Sequence, residues 1–312
     1  MTDPRLEVQP ELARLHGELL RLAGRVPGDL LARARLVLAD GDTDTVAELL
    51  DDVADVRSEP PFSFEAGPGE TFLDLTSGPL TDELDRAAVR ALARVPEAVA
   101  LWRSWRVPAQ WAAEAIAPVR VYVAETATRP DLLPAVSGVM MRALDRAGLA
   151  DPQVETYPSG VEPPPYQVRA RSAAALLWTA GQLPAVRVAR VFDRGGAPGP
   201  RFDDDHELLD GQERDRVLAY LTAGTSIMAT TQRTTDIVEP SLGAVVPMSY
   251  RTDGRWVWTD TAAYYLRVHG LAPDAEQLAD IRAAGYAAPA TTPVDEHRAL
   301  AALFRPQPAT AS

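Results

Sequence analysis

The chain of 312 residues contains no cysteine and no lysine. The first absence excludes a disulfide framework, a thiolate metal site, an iron–sulfur cluster and a cysteine nucleophile. The second makes every basic side chain an arginine and removes Schiff-base chemistry, pyridoxal phosphate attachment and the P-loop lysine. A drift toward GC-rich codons accounts for arginine in place of lysine, together with the abundance of Ala, Pro and Asp. Only four histidines are present, His16, His206, His269 and His297, and none stands in H-x-x-x-H or H-E-x-x-H, so no histidine-built zinc site is spelled out. No stretch approaches ~20 uninterrupted apolar residues, and the opening Met1-Thr2-Asp3-Pro4 has neither a positive n-region nor an apolar h-region. A soluble, cytoplasmic protein with no membrane partner is expected. The formal net charge of −13 leaves no basic stripe for neutralising phosphates, which argues against nucleic acid and suits either plain solubility or a basic partner.

What is present is ordinary for a globular chain: 46% hydrophobic and 24% charged residues suffice for a sizeable core without cross-links. The expected fold class is α/β or α+β, a mixed sheet with flanking helices preceded by a small N-terminal helical unit. That unit spans residues 1–57, where Leu12, Leu15, Leu19, then Leu31, Ala34, Leu38, then Val46, Leu49, Val53 recur at helical spacing around turns at Gly28 and Gly41. Pro60-Pro61 and Gly67-Pro68-Gly69 mark a linker, with Phe62 and Phe64 as an edge strand. A main α/β domain is expected over residues 70–286, then a partly disordered tail over residues 287–312, with a short helix at 296–304. Within the main domain Asp82 or Thr81 caps a helix running to about residue 94 and onward past Pro96 to residue 105; the spacing of Trp102, Trp105 and Trp111 suits one buried helix face, the alternative being a platform that stacks a base or sugar. Residues 118–157 read as strand, helix, strand, hence parallel pairing through a right-handed crossover. Residues 166–180 read as a buried helix. V-R-V at 119–121 and at 186–188 hints at a duplicated half, on too few residues to establish one. Asp253-Gly254 between alternating runs predicts a type I′ hairpin, followed by a helix that Gly270 stops in a left-handed position.

Three stretches carry candidate chemistry. The loop D-R-G-G-A-P-G-P-R offers Arg194 and Arg201 as a clamp for an anion, although Pro198 and Pro200 delete donors that an anion nest would use. Asp203, Asp205 and His206 are the densest set of oxygen and imidazole ligands and suit a divalent cation; acidic residues ahead of a helix at 208 are equally a solvated capping turn. No organic cofactor is expected. Around the hairpin, Arg233, Asp236, Arg251 and Asp253 are the residues on which an enzymatic site would draw, by proximity in sequence. The hydroxyl-rich run at 225–235 reads either as a polar pocket or as the wet face of an edge strand. Ser137 and Ser226 stand in fragments of the G-x-S-x-G hydrolase motif, not in the motif itself.

The segment R-T-D-G-R-W-V-W-T-D-T-A-A-Y-Y-L-R-V-H-G-L at 251–271 resembles the C-terminal part of a set of uncharacterised actinobacterial cytoplasmic proteins, and its T-D-G-x-W-V-W wording is similar to some immunity-type proteins of bacterial toxin systems. The resemblance covers about a tenth of the chain and rests on packing residues, so it implies a binding role and carries over no catalytic position. The functional expectation is a non-catalytic macromolecule-binding protein, immunity-type or accessory to a toxin or secretion system, whose partner is another protein of basic character. The alternative is an enzyme or nucleotide-binding protein using the loop and acidic cluster at 193–207.

Overall fold

The structure, a computed structural model, describes residues 9–51, 62–67, 72–108 and 117–305. It has the expected mixed α and β content, with mixed sheets flanked by helices. The chain divides into two units, Met1–Gln182 and Leu183–Ser312, at a point where no boundary was expected.

The first unit opens with three helices, α1 (Pro10–Leu22), α2 (Gly28–Ala39) and α3 (Thr43–Asp51). Their periodic leucines, Leu15, Leu19, Leu31 and Leu38, are buried. Gly41 turns at φ +85°, where a side chain is strained, and Asp42 caps α3 by accepting from the Thr45 N–H at 3.0 Å. Strands β1 (Phe62–Glu65) and β2 (Leu73–Asp74) precede α4 (Glu83–Leu92), which Asp82 caps by accepting from the Asp85 N–H. Then follow β3 (Ala98–Pro108), β4 (Val119–Thr126), α5 (Leu133–Arg146), β5 (Gln153–Pro158), α6 (Pro165–Ser172) and β6 (Ala175–Thr179). The sheet order is β2-β6-β3-β4-β5, with β1 also paired to β3. β4 and β5 are parallel and joined through α5, as expected of residues 118–157.

Two expectations fail in this unit. The helix from residue 83 stops at Leu92, and residues 98–108 form β3, the hub of the sheet, antiparallel to β4, β6 and β1. Pro96 and Glu97, at φ 63°, break the helix; Ala98, Ala100, Trp102 and Ser104 then bury at period two. Trp105 instead lies half-buried under the Arg120 guanidinium, 4.6 Å from its ring centroid. Trp111 and most of the expected linker lie outside the described residues. Residues 166–180 are likewise a helix, α6, followed by a strand, β6, because Ala175, Leu176 and Leu177 form a short apolar run buried on both faces, which periodicity does not distinguish from a buried helix.

Where α2 crosses α5, Gly138 lets the backbones close: a Cβ there would stand 2.4 Å from the Cβ of Ala39. Gly138→Ala should therefore destabilise the unit by up to about 2 kcal/mol, overpacking of ~1–3 kcal/mol outweighing a helix-propensity gain of ~1 kcal/mol. Faster amide exchange in α2 and α5 is the expected readout; unchanged or slower exchange would show that the crossing has slack.

The second unit contains β7 (Arg187–Val188), α7 (Gly211–Ala223), β8 (Thr225–Met228), β9 (Arg233–Thr235), β10 (Ala244–Pro247), β11 (Tyr250–Thr252), β12 (Trp256–Thr259), α8 (Asp260–His269), α9 (Ala275–Ala283) and α10 (Pro293–Phe304). The sheet order is β7-β12-β11-β8, and β9 pairs with β10 apart from it. Trp256, Trp258, Leu266, Leu221 and Ile281 make its core. Gly270 ends α8 at φ 75°, as expected. The hairpin is present but its turn differs. Thr252 pairs with Val257, so four residues intervene, and of Asp253 and Gly254 only Gly254 has positive φ. The Asp253 carboxylate accepts from the N–H groups of Arg255 (2.8 Å) and Trp256 (2.6 Å), an Asx-type turn that displaces type I′. β7 is two residues long and pairs with β12, so the second V-R-V repeats no α/β half. The short helix expected at 296–304 is present as α10, begun three residues earlier: Thr292 and Asp295 form a reciprocal capping box, and Val294, Ala299 and Ala301 are buried.

Candidate functional site

The loop and acidic turn at 193–207 are held on an aromatic floor. The Phe202 ring lies edge-on to Phe192 (5.3 Å between centroids), Tyr265 (5.1 Å) and His206 (4.9 Å). Arg194 and Arg201 exchange backbone hydrogen bonds at 3.2 and 3.0 Å, closing the Gly/Pro loop on itself. The Asp193 carboxylate accepts from the Asp203 N–H (2.9 Å) and faces His206 Nδ1 (2.8 Å), while His206 Nε2 faces the Ala272 carbonyl (3.0 Å). Burial works against the charge on Asp193, yet the Asp203 N–H and the His206 ring outweigh it and hold its carboxyl below the usual range.

This network bounds a cleft of about 230 Å³ lined by Asp193, Asp203, Asp205, Glu207 and Asp274, with Arg190 as the one guanidinium among the lining residues. Asp203 is paired with Arg194 (2.7 Å) and Glu207 with Arg282 (2.7 Å), whereas Asp205 is exposed and takes no hydrogen bond from the described residues. The anion clamp expected of Arg194 and Arg201 is not assembled, since Arg194 is spent on Asp203 among carboxylates that would repel a phosphate. The metal set expected of Asp203, Asp205 and His206 does not converge either: each ring nitrogen of His206 is turned to a protein acceptor. Among the described residues no group of three or more His, Asp and Glu side chains is placed to hold a metal ion.

The four residues expected around the hairpin belong to separate networks. Arg233 is exposed on β9 and donates to the Val245 carbonyl at 2.9 Å. Asp236 is fully buried. It accepts from the Val238 and Glu239 N–H groups (2.8 and 3.1 Å) and the Tyr264 hydroxyl (2.9 Å), and faces His269 Nε2 (2.7 Å). Burial raises its pKa, but the His269, backbone and tyrosine hydrogen bonds together hold it at about 2. Arg251 donates to Asp260 (2.6 Å) and to the carbonyls of Gly224 and Thr222, tying the hairpin to the end of α7. Asp253 accepts from the Tyr220 hydroxyl at 2.6 Å, so it too fastens the hairpin to α7. These contacts are architectural. In the hydroxyl-rich run, β9 is exposed at all three residues and β8 is the edge of its sheet, which matches the edge-strand account. Ser137 is fully buried on α5, its hydroxyl 2.5 Å from Thr156 Oγ1.

Sequence reasoning found the acidic turn but missed Asp193 and Asp274, which complete the cleft. Asp274 carries a signal of its own, the N-cap of α9 after Pro273, but nothing local places it opposite residue 205. Comparison with protein families, curated proteins and solved structures finds no match to the chain. No helix among the described residues is long and apolar enough to cross a membrane.

Proposed function

We propose that the chain is a non-catalytic, macromolecule-binding protein that docks a basic segment of a partner protein through the acidic cleft of its second unit. The observation that carries this reading is a cleft of about 230 Å³ lined by five carboxylates, of which Asp193, Asp203, Glu207 and Asp274 are paired with His206, Arg194, Arg282 and Arg190 while Asp205 is exposed and has no partner among the described residues. A preorganised anionic concavity favours an incoming arginine or lysine side chain, and the net charge of −13 draws a basic partner in from a distance. The resemblance of residues 251–271 to immunity-type proteins supports the finer role, neutralising or escorting a component of a toxin or secretion system within the cytoplasm.

Asp205→Arg tests the reading, because this exposed side chain can be reversed in charge without disturbing the network beneath it. From the native host at ~50 mM salt, the wild-type chain should copurify with a basic protein in stoichiometric amount. Affinity for that partner should fall about tenfold or more in the variant, with most of the change in the association rate and a steep loss at high salt. A partner held equally well by both, or an acidic partner, overturns it.

A further inference from the structure

The first unit holds a second cavity, of about 510 Å³, which the acidic cleft does not explain. It lies where Tyr157 and Pro158 end β5, at the carboxyl ends of the parallel pair β4 and β5, between α1 and the loop leading to α6. Crevices outside the carboxyl ends of parallel strands are where open α/β sheets take ligands, and this volume falls within the usual ~300–1,000 Å³ of small-molecule sites. Its walls are apolar and stiff: Leu20 and Leu133 on one side, Pro158, Pro163, Pro164 and Pro165 on the other. Proline fixes φ, so that wall stands ready-made and little ordering is required on binding. Tyr157 presents no free hydroxyl, because its OH donates to Glu125 (3.0 Å) and accepts from Arg171 (2.9 Å). Glu162 lies 3.8 Å from Arg171 and Arg21 is exposed to solvent, so neither charge is set among the apolar walls.

Apart from the exposed Arg21 guanidinium, one side-chain polar atom of the lining is uncommitted. His16 is only 3% exposed, and its Nε2 lies 2.8 Å from the Thr156 carbonyl oxygen. A carbonyl oxygen only accepts, so Nε2 carries the proton and the lone pair of the neutral ring sits on Nδ1. Burial, reinforced by the nearby Arg35 charge, keeps the ring neutral down to about pH 4 against the pull of the Thr156 bond. Nδ1 has no hydrogen-bond partner among the described residues, in a ring that lines the cavity. Such an acceptor at the base of an apolar pocket is satisfied by one donor from an otherwise apolar guest.

We infer that this cavity binds a small, neutral, largely apolar molecule bearing one N–H or O–H donor, which His16 Nδ1 accepts. Indole and 1-methylindole test this as a pair, sharing an apolar body while only the first has the donor. In calorimetric titration of the full chain at pH 7, indole should bind at least tenfold more tightly than 1-methylindole. The His16 Nδ1 resonance, assigned by its loss in His16→Gln, should shift with indole and stay in place with 1-methylindole. Gly17→Leu should abolish binding of both. A Cβ at Gly17 meets only Arg21 Nη2, at 3.6 Å, so the helix accepts the substitution, thermal stability is retained and the rest of the side chain occupies the cavity. Equal binding of the two probes, indole binding that survives Gly17→Leu, or no binding of either at its solubility limit would each overturn the inference.

Discussion

Arg35→Met should destabilise the first unit by about 3–5 kcal/mol, the largest effect expected of any single substitution here. Arg35 on α2 and Glu155 on β5 are 1% and 0% exposed, and Nη2 donates to Oε2 at 2.5 Å. Removing the guanidinium leaves the carboxylate buried with only the Gln167 amide, which donates to the same oxygen at 2.8 Å. The pair is itself imperfectly solvated by protein, since Arg35 Nε and Nη1, Glu155 Oε1 and Gln167 Oε1 have no hydrogen-bond partner among the described residues. The double variant Arg35→Met with Glu155→Leu should therefore recover most of the loss, because it removes both desolvated charges and leaves Gln167 bonded to the Leu20 carbonyl. Urea denaturation followed by amide exchange in β4 and β5 reads both variants. If the double variant loses as much as the single one, the pair contributes net stability and the account above is wrong.

Acidification from pH 6.5 to pH 4 should lower the stability of the same unit by about 3 kcal/mol through His16 alone. Its pKa falls from 6.5 in an unfolded chain to about 4 in the folded one, and each unit of difference is worth ~1.4 kcal/mol. Above pH 6.5 neither state holds the extra proton and nothing changes. Between 6.5 and 4 the unfolded chain takes it up while the folded ring, facing the Thr156 carbonyl and the Arg35 charge, does not, so stability falls with pH. Below about pH 4 both states are protonated and the loss is complete. In this unit Asp82 and Asp131 are held near 2 by Arg120 and Arg129 against burial, so their contributions disappear only as pH falls below 4. His16→Gln, whose amide still reaches the Thr156 carbonyl, should flatten the slope between pH 6.5 and 4. A slope unchanged by this substitution would place the effect elsewhere.

The parts of this fold that were legible in the sequence are those whose pattern is local. Leu15, Leu19 and Leu38 announce helices by period alone, and Val119, Val121 and Val123 ahead of an amphipathic helix announce the parallel pair. The hub strand was not legible, because Trp102 and Trp105 stand three apart and imitate a helix face, while the hydrogen bonds that make them a strand come from residues 119–126 and 175–179. At the hairpin the Asp-Gly signal located the turn correctly, yet the Asp253 side chain, by capping two N–H groups, selected a different turn. In the cleft, the density of Asp203, Asp205 and Glu207 was visible. Asp193 and Asp274 were not, because an aromatic stack and a cap far along the chain bring them there. His16 read as one of four scattered histidines, since its partner is a backbone carbonyl 140 residues away and leaves no motif.

The span between Arg35 and Glu155 also sets a clock. These side chains are 120 residues apart, and α2 packs on α5, which is translated just before β5. At ~5–20 residues per second the first helices wait about 6–24 s on the ribosome before the surface they cover exists. Throughout that time Leu15, Leu19, Leu31 and Leu38 have only the neighbouring helices to cover them, and Arg35 lacks Glu155. These three helices are thus the part of the unit most dependent on chaperone cover during synthesis, and a translational pause before residue 153 lengthens that exposure while one after residue 179 does not.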